Sequence, residues 1–353
     1  MLTNLTVKNL GCFDEYPYSA NFNKLTVLVG INNSGKSMML SGLNLIRVFS
    51  HRNLEWNNGY YHLQNNTQAV YSHDTKRIIE LNAKYSLGAD SYECRLSIQN
   101  DKFTIDQFLK NGHDLGSLTK SESQDLAKTV WYLHPERRHI PFTTEIGTSL
   151  IGIQPLYPTG LNVVDYLFGK FNDRDKRYDD VEKWLKEIDP SITLLKTPLD
   201  SKSTSMVTAR NDKKTVTEVN MSLQGSGINS ATAIITGIIF SPPHSTIIIE
   251  EPENFLNLRS IEKLVDLFNY AVNSLSKQII ITTHSWYILG EYAQDICKNA
   301  TMRSPKRIKE HIPITPSDFR LLEFTDEREA KKITDYNLIG KDYGDVIDNF
   351  SHL

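Results

Sequence analysis

Residues 25–37 read LTVLVGINNSGKS, an apolar run followed by a loop that contains two glycines. The aliphatic residues at 25–29 predict a buried strand, and from Lys36 onward apolar residues recur at the spacing of one helix face. The loop matches the pattern G-x-x-x-x-G-K-[ST], in which glycines let successive backbone N–H groups point at an anion beside a helix N-terminus. The segment therefore predicts a strand, a phosphate-binding loop and a helix.

The residues of this loop have distinct predicted roles in holding a nucleoside triphosphate. The backbone amides surround the phosphates, the Lys36 ammonium bridges the β- and γ-phosphates, and the Ser37 hydroxyl ligates a magnesium ion. We therefore expect ATP and Mg²⁺ as the bound cofactors. The predicted nucleotide-binding residues of the loop are Asn32, Asn33, Ser34, Gly35, Lys36 and Ser37.

A second apolar run ends in acidic residues. Residues 245–253 read STIIIEEPE, and continuous β-branched residues predict a strand that is buried on both faces of a sheet. Its carboxylates then emerge at the carboxyl end of the strand, where α/β sheets bind their ligands. We predict that Glu250 holds Mg²⁺ and that Glu251 polarises the water that attacks the γ-phosphate, because adjacent side chains point to different sides.

A third strand repeats this arrangement of a buried run with a polar end. Residues 278–285 read QIIITTHS, and the histidine follows the acidic strand in chain order. We predict that His284 senses the γ-phosphate. Together with Glu251, it forms the predicted catalytic pair.

Composition restricts the class of protein. Of the 353 residues, 39% are hydrophobic and 23% are charged, which excludes disorder along the whole chain. We expect no membrane span and no signal peptide. Cys12, Cys94 and Cys297 are far apart and odd in number, so we expect no disulfide framework and a cytoplasmic location. The net charge of −3 provides no general attraction to nucleic acid, so DNA binding would need a local basic patch.

The pattern of predicted elements indicates an α/β fold. Strands and helices alternate over residues 228–282, which predicts a mixed, largely parallel core sheet. We expect one discontinuous domain spanning residues 1–353. Its predicted parts are a core from 1–50 and 220–295, an antiparallel β lobe at 51–135, a helical insertion at 160–190 and a C-terminal extension at 296–353.

The three motifs, in this order, resemble those of ABC-type ATPases of the SMC, RecF and OLD kind. The chain looks most like the small bacterial AAA-type ATPases allied to the OLD family. The resemblance implies an ABC-type P-loop ATPase head that hydrolyses ATP. It also implies a signature loop at Gly225, Ser226 and Gly227, which would contact the nucleotide of a second copy and complete a head-to-tail homodimer around two ATP molecules.

Two other segments bear on the resemblance. Residues 132–138 read YLHPERR and resemble a Tyr-Leu-x-Pro-x-Arg segment of the family, which implies that Arg137 lies at the nucleotide. Residues 254–258 read NFLNL, where the family often has a Leu-His-Pro segment, so the contact that this segment would make between subunits is not implied here.

Several functions are compatible with such an ATPase. The resemblance implies an ATP-gated switch in anti-phage defence or DNA maintenance, working with a separate effector such as a nuclease, because no acid-rich nuclease segment follows His284. A slowly hydrolysing scaffold, in a dimer or higher oligomer that holds an effector, is the alternative. A transporter subunit is disfavoured because its Leu-Ser-Gly-Gly-Gln signature is absent. Basic residues at 137–139 and 303–309 are the candidates for contact with DNA.

Overall fold

The structure of the chain is a computed structural model. It describes residues 1–49, 72, 74–100, 102–115, 129–137, 144–145, 156, 159–196, 199–200, 203–205, 207–212, 215–297, 313–327, 330–338 and 341–350. The helices in this part are α1 (Lys36–Phe49), α2 (Val163–Asn172), α3 (Arg177–Ile188), α4 (Ser226–Phe240), α5 (Leu258–Asn273), α6 (Trp286–Ile296) and α7 (Tyr343–Phe350).

The strands of the described residues form two large and two small sheets. In the first half of the chain they are β1 (Leu2–Lys8), β2 (Tyr18–Asn21), β3 (Leu25–Gly30), β4 (Ile79–Leu87), β5 (Asp90–Gln99), β6 (Lys102–Lys110), β7 (His113–Asp114), β8 (Val130–Leu133) and β9 (Thr144–Glu145). The others are β10 (Ile192–Lys196), β11 (Leu199–Asp200), β12 (Ser203–Thr204), β13 (Val207–Asp212), β14 (Thr215–Asn220), β15 (Thr246–Glu250), β16 (Gln278–Thr282), β17 (Phe319–Glu327) and β18 (Ala330–Tyr336).

The core sheet has the strand order β18-β17-β3-β16-β15-β8. All neighbouring strands in it are parallel except β17 and β18, which pair antiparallel. Every residue of β3, β15 and β16 is buried, as their continuous apolar sequences predict. Parallel strands end at the same edge of a sheet, so the segments after β3, β15 and β16 meet there.

Side chains on the two faces of this sheet pack into two separate hydrophobic cores. Ile247, Ile249 and Ile281 point into the core formed with α2 to α7, whereas Ile248 and Ile280 point into the core formed with α1 and the antiparallel sheet. This alternation follows from the two-residue repeat of a strand. The result is a layered α/β structure with helices on one side and a second sheet on the other.

The second large sheet is antiparallel, with the order β2-β1-β4-β5-β6-β7. Burial alternates along β4, which indicates one face in the core and one in solvent. The sheet is joined to the core sheet by Gln278 of β16, whose side chain accepts from Leu2 N at 2.7 Å and donates to Leu2 O at 2.7 Å. A mixed, mostly parallel sheet with an antiparallel sheet beside it confirms the predicted fold class.

Three parts of the chain pair differently from the sequence-based expectation. β8 was expected in the antiparallel lobe but lies parallel to β15 at the edge of the core sheet. β1 and β2 were expected in the core but belong to the antiparallel sheet. β17, expected in a separate extension, lies beside β3 and completes the core sheet. Sequence patterns predict that a segment is a strand, but its partners are chosen by tertiary packing.

The helical insertion consists of two helices rather than one. α2 ends at Asn172 and α3 begins at Arg177, with the charged residues 173–176 forming the turn between them. Arg174 adopts a left-handed conformation in this turn, with φ of 54°. The charged run is thus a largely exposed turn. Among the residues described, no helix combines the length and apolar character needed to cross a membrane.

Candidate functional site

A cavity of about 540 Å³ opens at the carboxyl edge of the core sheet. It lies where the segments that follow β3, β15 and β16 converge. Its lining residues are Gly11, Cys12, Asn32, Asn33, Ser34, Gly35, Lys36, Ser37, Met38, Ser72, Glu251, Thr282 and His284. All six loop residues predicted to bind the nucleotide are therefore in its wall, together with both predicted catalytic residues.

The loop after β3 has a backbone shape that requires glycine at two positions. Gly30 and Gly35 have φ of 141° and 108°, values that side chains of L-residues rarely tolerate. A Cβ atom on Gly30 would lie 2.2 Å from the carbonyl oxygen of Phe324 in β17. Asn33 also has a positive φ, of 65°, in the left-handed region that Asn tolerates best among the larger residues. The glycines of the motif therefore permit the backbone conformation of the loop, and Gly30 also permits its close packing against β17.

The Lys36 ammonium lies inside the curve of this loop. It donates to the carbonyl oxygens of Gly30 at 2.6 Å and Ile31 at 2.9 Å. Burial lowers the pKa of Lys36 to about 8, and the negative charges of Glu251 and Glu250 oppose this shift. Phosphate oxygens are stronger partners for an ammonium than carbonyl dipoles, so this position suits an anion.

The two acids at the end of β15 have different environments. Glu250 is buried, and its Oε1 accepts a hydrogen bond from the Tyr132 hydroxyl of β8. Glu251 lines the cavity, and its Oε2 accepts from the Asn254 side chain at 2.6 Å. The backbone of Glu251 is left-handed, with φ of 45°, and its N–H donates to the Thr282 carbonyl at 2.9 Å. This turn separates the two carboxylates, as the sequence predicted for adjacent acids with different roles.

His284 is half-buried in the cavity wall. Its pKa is lowered, first by burial and then by the positive charge of Lys36, while Glu251 acts in the opposite direction. A neutral imidazole at this place can both donate and accept a hydrogen bond. The structure thus places His284 beside the loop and the acidic strand, where a phosphate sensor would have to lie.

Glu253 is a residue of the site to which sequence reasoning assigned no role. Its Oε1 accepts from the Thr283 hydroxyl at 2.6 Å and from the backbone N–H of His284 at 3.0 Å. Burial raises the pKa of the Glu253 carboxyl. The third acid of the Glu-Pro-Glu sequence therefore joins the turn after β15 to the segment that carries His284. In the sequence, its position two residues after Glu251 is the feature that could have indicated this role.

Arg137 lies near the site but is not in the cavity wall. The side chain is fully buried, and its Nη1 donates to the carbonyl oxygens of His134 at 2.7 Å and Glu250 at 2.6 Å. Nη2 donates to the carbonyl oxygen of Glu251 at 2.9 Å. Burial lowers the pKa of Arg137 to about 10, against the charges of the nearby glutamates. The expectation that Arg137 lies at the nucleotide is corrected, because its guanidinium contacts the backbone of the acidic residues instead.

The predicted signature loop lies at the N-terminus of α4. Gly225 is the N-cap of this helix and Ser226 its first residue. A Cβ atom on Gly227 would lie 2.3 Å from the Phe255 carbonyl oxygen, so this glycine allows close packing of the turn after β15. Gly225, Ser226 and Gly227 do not line the cavity of their own chain.

Three large apolar side chains are exposed in the segments just before α4 and at the start of α5. Leu223 is 72% exposed, Phe255 54% and Leu258 59%. Leu223 lies just before the Gly225–Gly227 loop in sequence, and Phe255 packs its backbone against Gly227. We call these three residues the apolar rim.

Of the two residues predicted to hold Mg²⁺, Ser37 lines the cavity, whereas Glu250 is buried behind it and is not among the lining residues. Ser37 offers a hydroxyl in the cavity wall, and Glu250 offers a carboxylate that interacts electrostatically with Lys36. In the described residues there is no cluster of three or more His, Cys, Asp or Glu side chains that could hold a metal by itself. Mg²⁺ characteristically needs only one or two protein oxygens, since water and substrate phosphates complete its octahedron.

Sequence reasoning also missed four other residues of the cavity wall. Gly11 and Cys12, from the segment between β1 and β2, and Met38 of α1 line the cavity with Ser72. Gly35 packs so tightly that a Cβ atom on it would lie 2.9 Å from the Cys12 sulfur. No motif marks these residues, because the contact depends on how the antiparallel sheet is placed against the loop.

The fold and the three motifs at one sheet edge define a P-loop ATPase domain. The family model described as "AAA ATPase domain" matches residues 1–215, so the chain belongs to this family. A second model, described as "AAA domain, putative AbiEii toxin, Type IV TA system", matches residues 156–290. A comparison with curated proteins finds no match.

Solved structures support the same fold. The SmcHead bound to the C-winged helix domain of ScpA is similar with a TM-score of 0.62 and 12% sequence identity, over 96% of this chain and 98% of that chain. The Smc head domain with an extended coiled coil, bound to the C-terminal domain of ScpA from Pyrococcus furiosus, has a TM-score of 0.57 and 11% identity, over 99% of this chain and 98% of that chain. At this identity the likeness concerns the fold alone.

Proposed function

We propose that the chain is an ATP-binding and ATP-hydrolysing switch that dimerises around two ATP molecules. The observation that carries this proposal is the meeting of Lys36, Glu251 and His284 in one cavity at the carboxyl edge of the core sheet. Together they supply a cation for the phosphates, a carboxylate that can polarise water and an imidazole that can bond a phosphate oxygen. The family assignment supports ATP as the nucleotide.

Each residue in the site has a defined part in this reaction. Lys36 exchanges its loop carbonyls for the β- and γ-phosphate oxygens of the substrate. Glu251 orients and polarises the attacking water, and His284 donates to the γ-phosphate. Ser37 and Glu250 would hold Mg²⁺, which would neutralise charge on the phosphates. Asn254 keeps the Glu251 carboxylate in place through its 2.6 Å hydrogen bond.

The proposed dimer is supported by the position of the Gly225–Gly227 loop, which does not line the cavity of its own chain. The Gly225–Gly227 loop lies at the positive end of α4 with open space at Gly225, so it can approach the γ-phosphate bound by a second copy. Burying the apolar rim in the same contact would remove a large apolar area from water. The rim also supplies a contact between subunits where residues 254–258 lack the family's usual Leu-His-Pro segment.

We place this switch among OLD-allied ATPases of the cytoplasm, in anti-phage defence or DNA maintenance. It would act with a separate effector protein such as a nuclease. The match of residues 156–290 to a family whose description names a toxin and a type IV toxin–antitoxin system supports a role of this kind. Of the residues considered for DNA contact, Arg137 is buried, while 138–139 and 303–309 lie outside the described residues.

The decisive test measures assembly and turnover together. With Glu251→Gln, we expect ATP to bind, hydrolysis to fall by about 10³-fold, and light scattering to show a dimer with Mg-ATP but a monomer without nucleotide. Glu251→Gln combined with Ser226→Arg should bind ATP and stay monomeric, since the bulky side chain blocks the approach. A Glu251→Gln chain that remains monomeric in saturating Mg-ATP at every concentration would contradict the proposal.

A measurement of turnover with and without DNA addresses the biological role. Strong stimulation by DNA would support a switch that handles DNA. Tight retention of ATP in a large complex with a captured protein, without stimulation, would favour the scaffold function instead.

A further inference from the structure

Arg137 is the most completely buried charged side chain near the site. Its guanidinium makes three short hydrogen bonds, and two of them end on the backbone carbonyls of Glu250 and Glu251. A buried guanidinium loses its hydration, and such burial is tolerated when charge-assisted hydrogen bonds replace the water. The planar fork of Arg can hold two neighbouring carbonyl groups at once, which a lysine ammonium does less rigidly.

The backbone that Arg137 holds is strained. Glu251 has φ of 45°, a left-handed conformation that is unfavourable for a residue with a Cβ atom. This left-handed turn is what directs the Glu251 side chain into the cavity while Glu250 stays buried beside Tyr132. Such strain persists only where surrounding contacts hold the backbone in place.

Electrostatics favour a cation at this position. Glu250, Glu251 and Glu253 lie within one turn, and all three interact with the charge of Arg137. Three carboxylates so close together repel one another, and the turn would relax by moving them apart. A fixed positive charge behind the turn reduces this repulsion without occupying the cavity in front of it.

We propose that Arg137 is a positioning residue for ATP hydrolysis. Its guanidinium fixes the peptide carbonyls of Glu250 and Glu251, so that the Glu251 carboxylate is held towards the attacking water, and it does not touch the nucleotide. This inference rests on the proposed function. It replaces the expectation that Arg137 binds the nucleotide directly, and it predicts a loss in kcat without a matching loss in ATP affinity.

The test compares three variants at equal active-site concentration, which is determined by the stoichiometry of ATP binding. We expect Arg137→Gln to lower kcat by about 100-fold, as a small misplacement of a reacting group does, with the Kd for ATP changed by less than about threefold. Arg137→Lys keeps charge and volume but loses the fork, so we expect a fall of about tenfold. Arg95→Gln, on the solvent face of β5, is the matched control and should leave kcat unchanged.

Hydrogen exchange supplies a readout that does not depend on hydrolysis. Glu251 N donates to Thr282 O, and Asn254 N donates to Glu251 O at 3.2 Å, so amide protection at 251–256 reports the turn. We expect faster exchange there in both Arg137 variants and unchanged exchange at residues 28–38. A merely structural role would instead lower the folded fraction and speed exchange throughout.

Each outcome decides between the two proposals. Unchanged kcat per active site in Arg137→Lys and Arg137→Gln, or unchanged exchange at 251–256, would overturn the positioning role while the wild-type ATPase stands. An increase in the Kd for ATP that accounts for the whole loss would show that Arg137 binds the nucleotide after all. A wild-type chain that binds ATP but never hydrolyses it would overturn the proposed function and, with it, this inference.

Discussion

The two six-stranded sheets of the molecule use their residues in opposite ways. In the core sheet, β3, β15 and β16 are buried at every position, and β15 and β16 carry their polar residues only at the strand ends. In the antiparallel sheet, buried and exposed residues alternate, and the exposed face carries ion pairs such as Lys8–Glu80 and Arg95–Glu93. The core sheet therefore gathers its chemistry at one edge, whereas the antiparallel sheet spreads its charge over a surface.

The two sheets also differ in how much their side chains stabilise the folded protein. The ion pairs of the antiparallel sheet are partly exposed, and pairs of this kind stabilise a protein by at most about 1 kcal/mol. A fully buried isoleucine of the core sheet contributes about 1.5–3 kcal/mol through removal of apolar surface from water. Substitutions of the same type should therefore have large effects in the core sheet and at its edge, and small effects in the antiparallel sheet.

The largest difference between the two sheets is expected when a lysine is replaced by alanine. Lys36→Ala removes the ammonium that the loop encloses, so we expect no ATP binding detectable by isothermal titration calorimetry. Lys84→Ala, on the antiparallel sheet, removes a half-exposed ammonium 3.8 Å from Glu93 and should leave the affinity for ATP unchanged. Normal affinity in Lys36→Ala would show that the loop after β3 does not hold the phosphates.

A smaller contrast is expected for the stability of the fold. Ile248→Ala in β15 leaves a cavity in the core between the two sheets and should lower the free energy of unfolding by about 3 kcal/mol. Ile105→Ala in β6, where the side chain is 39% exposed, should lower it by less than about 1 kcal/mol. Urea denaturation followed by circular dichroism measures both. Equal losses would mean that the antiparallel sheet is packed as tightly as the core.

The smallest contrast concerns the carboxylates. Glu253→Ala removes the acceptor for Thr283 and for the His284 N–H, so we expect kcat for ATP to fall by about tenfold, equivalent to one lost charge-assisted hydrogen bond. Glu253→Gln keeps an acceptor oxygen and should retain most of the activity. Glu80→Ala, in the antiparallel sheet, is the control. A Glu253→Ala enzyme as active as the control would show that His284 needs no such support.

Local patterns in the sequence predicted the secondary-structure elements and many of the residues that line the cavity. The strand at 278–282 has the predicted bounds, and the helix after the phosphate loop begins at Lys36 as expected. The polar ends of three apolar runs predicted that Lys36, Glu251 and His284 would meet. The three residues line one cavity because each follows a parallel strand that ends at this edge, and the roles assigned to them remain predictions.

The hydrogen bonds that Arg137 makes behind the cavity could not be predicted from local patterns. Arg137 precedes Glu250 by more than a hundred residues, and its hydrogen bonds arise only because β8 pairs with β15. The placement of β17 beside β3 likewise has no local signal. Backbone carbonyls are the acceptors for Arg137, and since every residue has one, no residue type in the sequence could mark them.

The position of β3 between β16 and β17 has a consequence for biosynthesis. Both strand neighbours of residues 25–30 are made much later in synthesis, about 250 residues later for 278–282 and about 290 residues later for 319–327. Until then the nascent chain carries an apolar strand with two unpaired edges, which is the kind of segment that chaperones shield. The sheet edge that carries the loop is thus complete only after β16 and β17 have been translated.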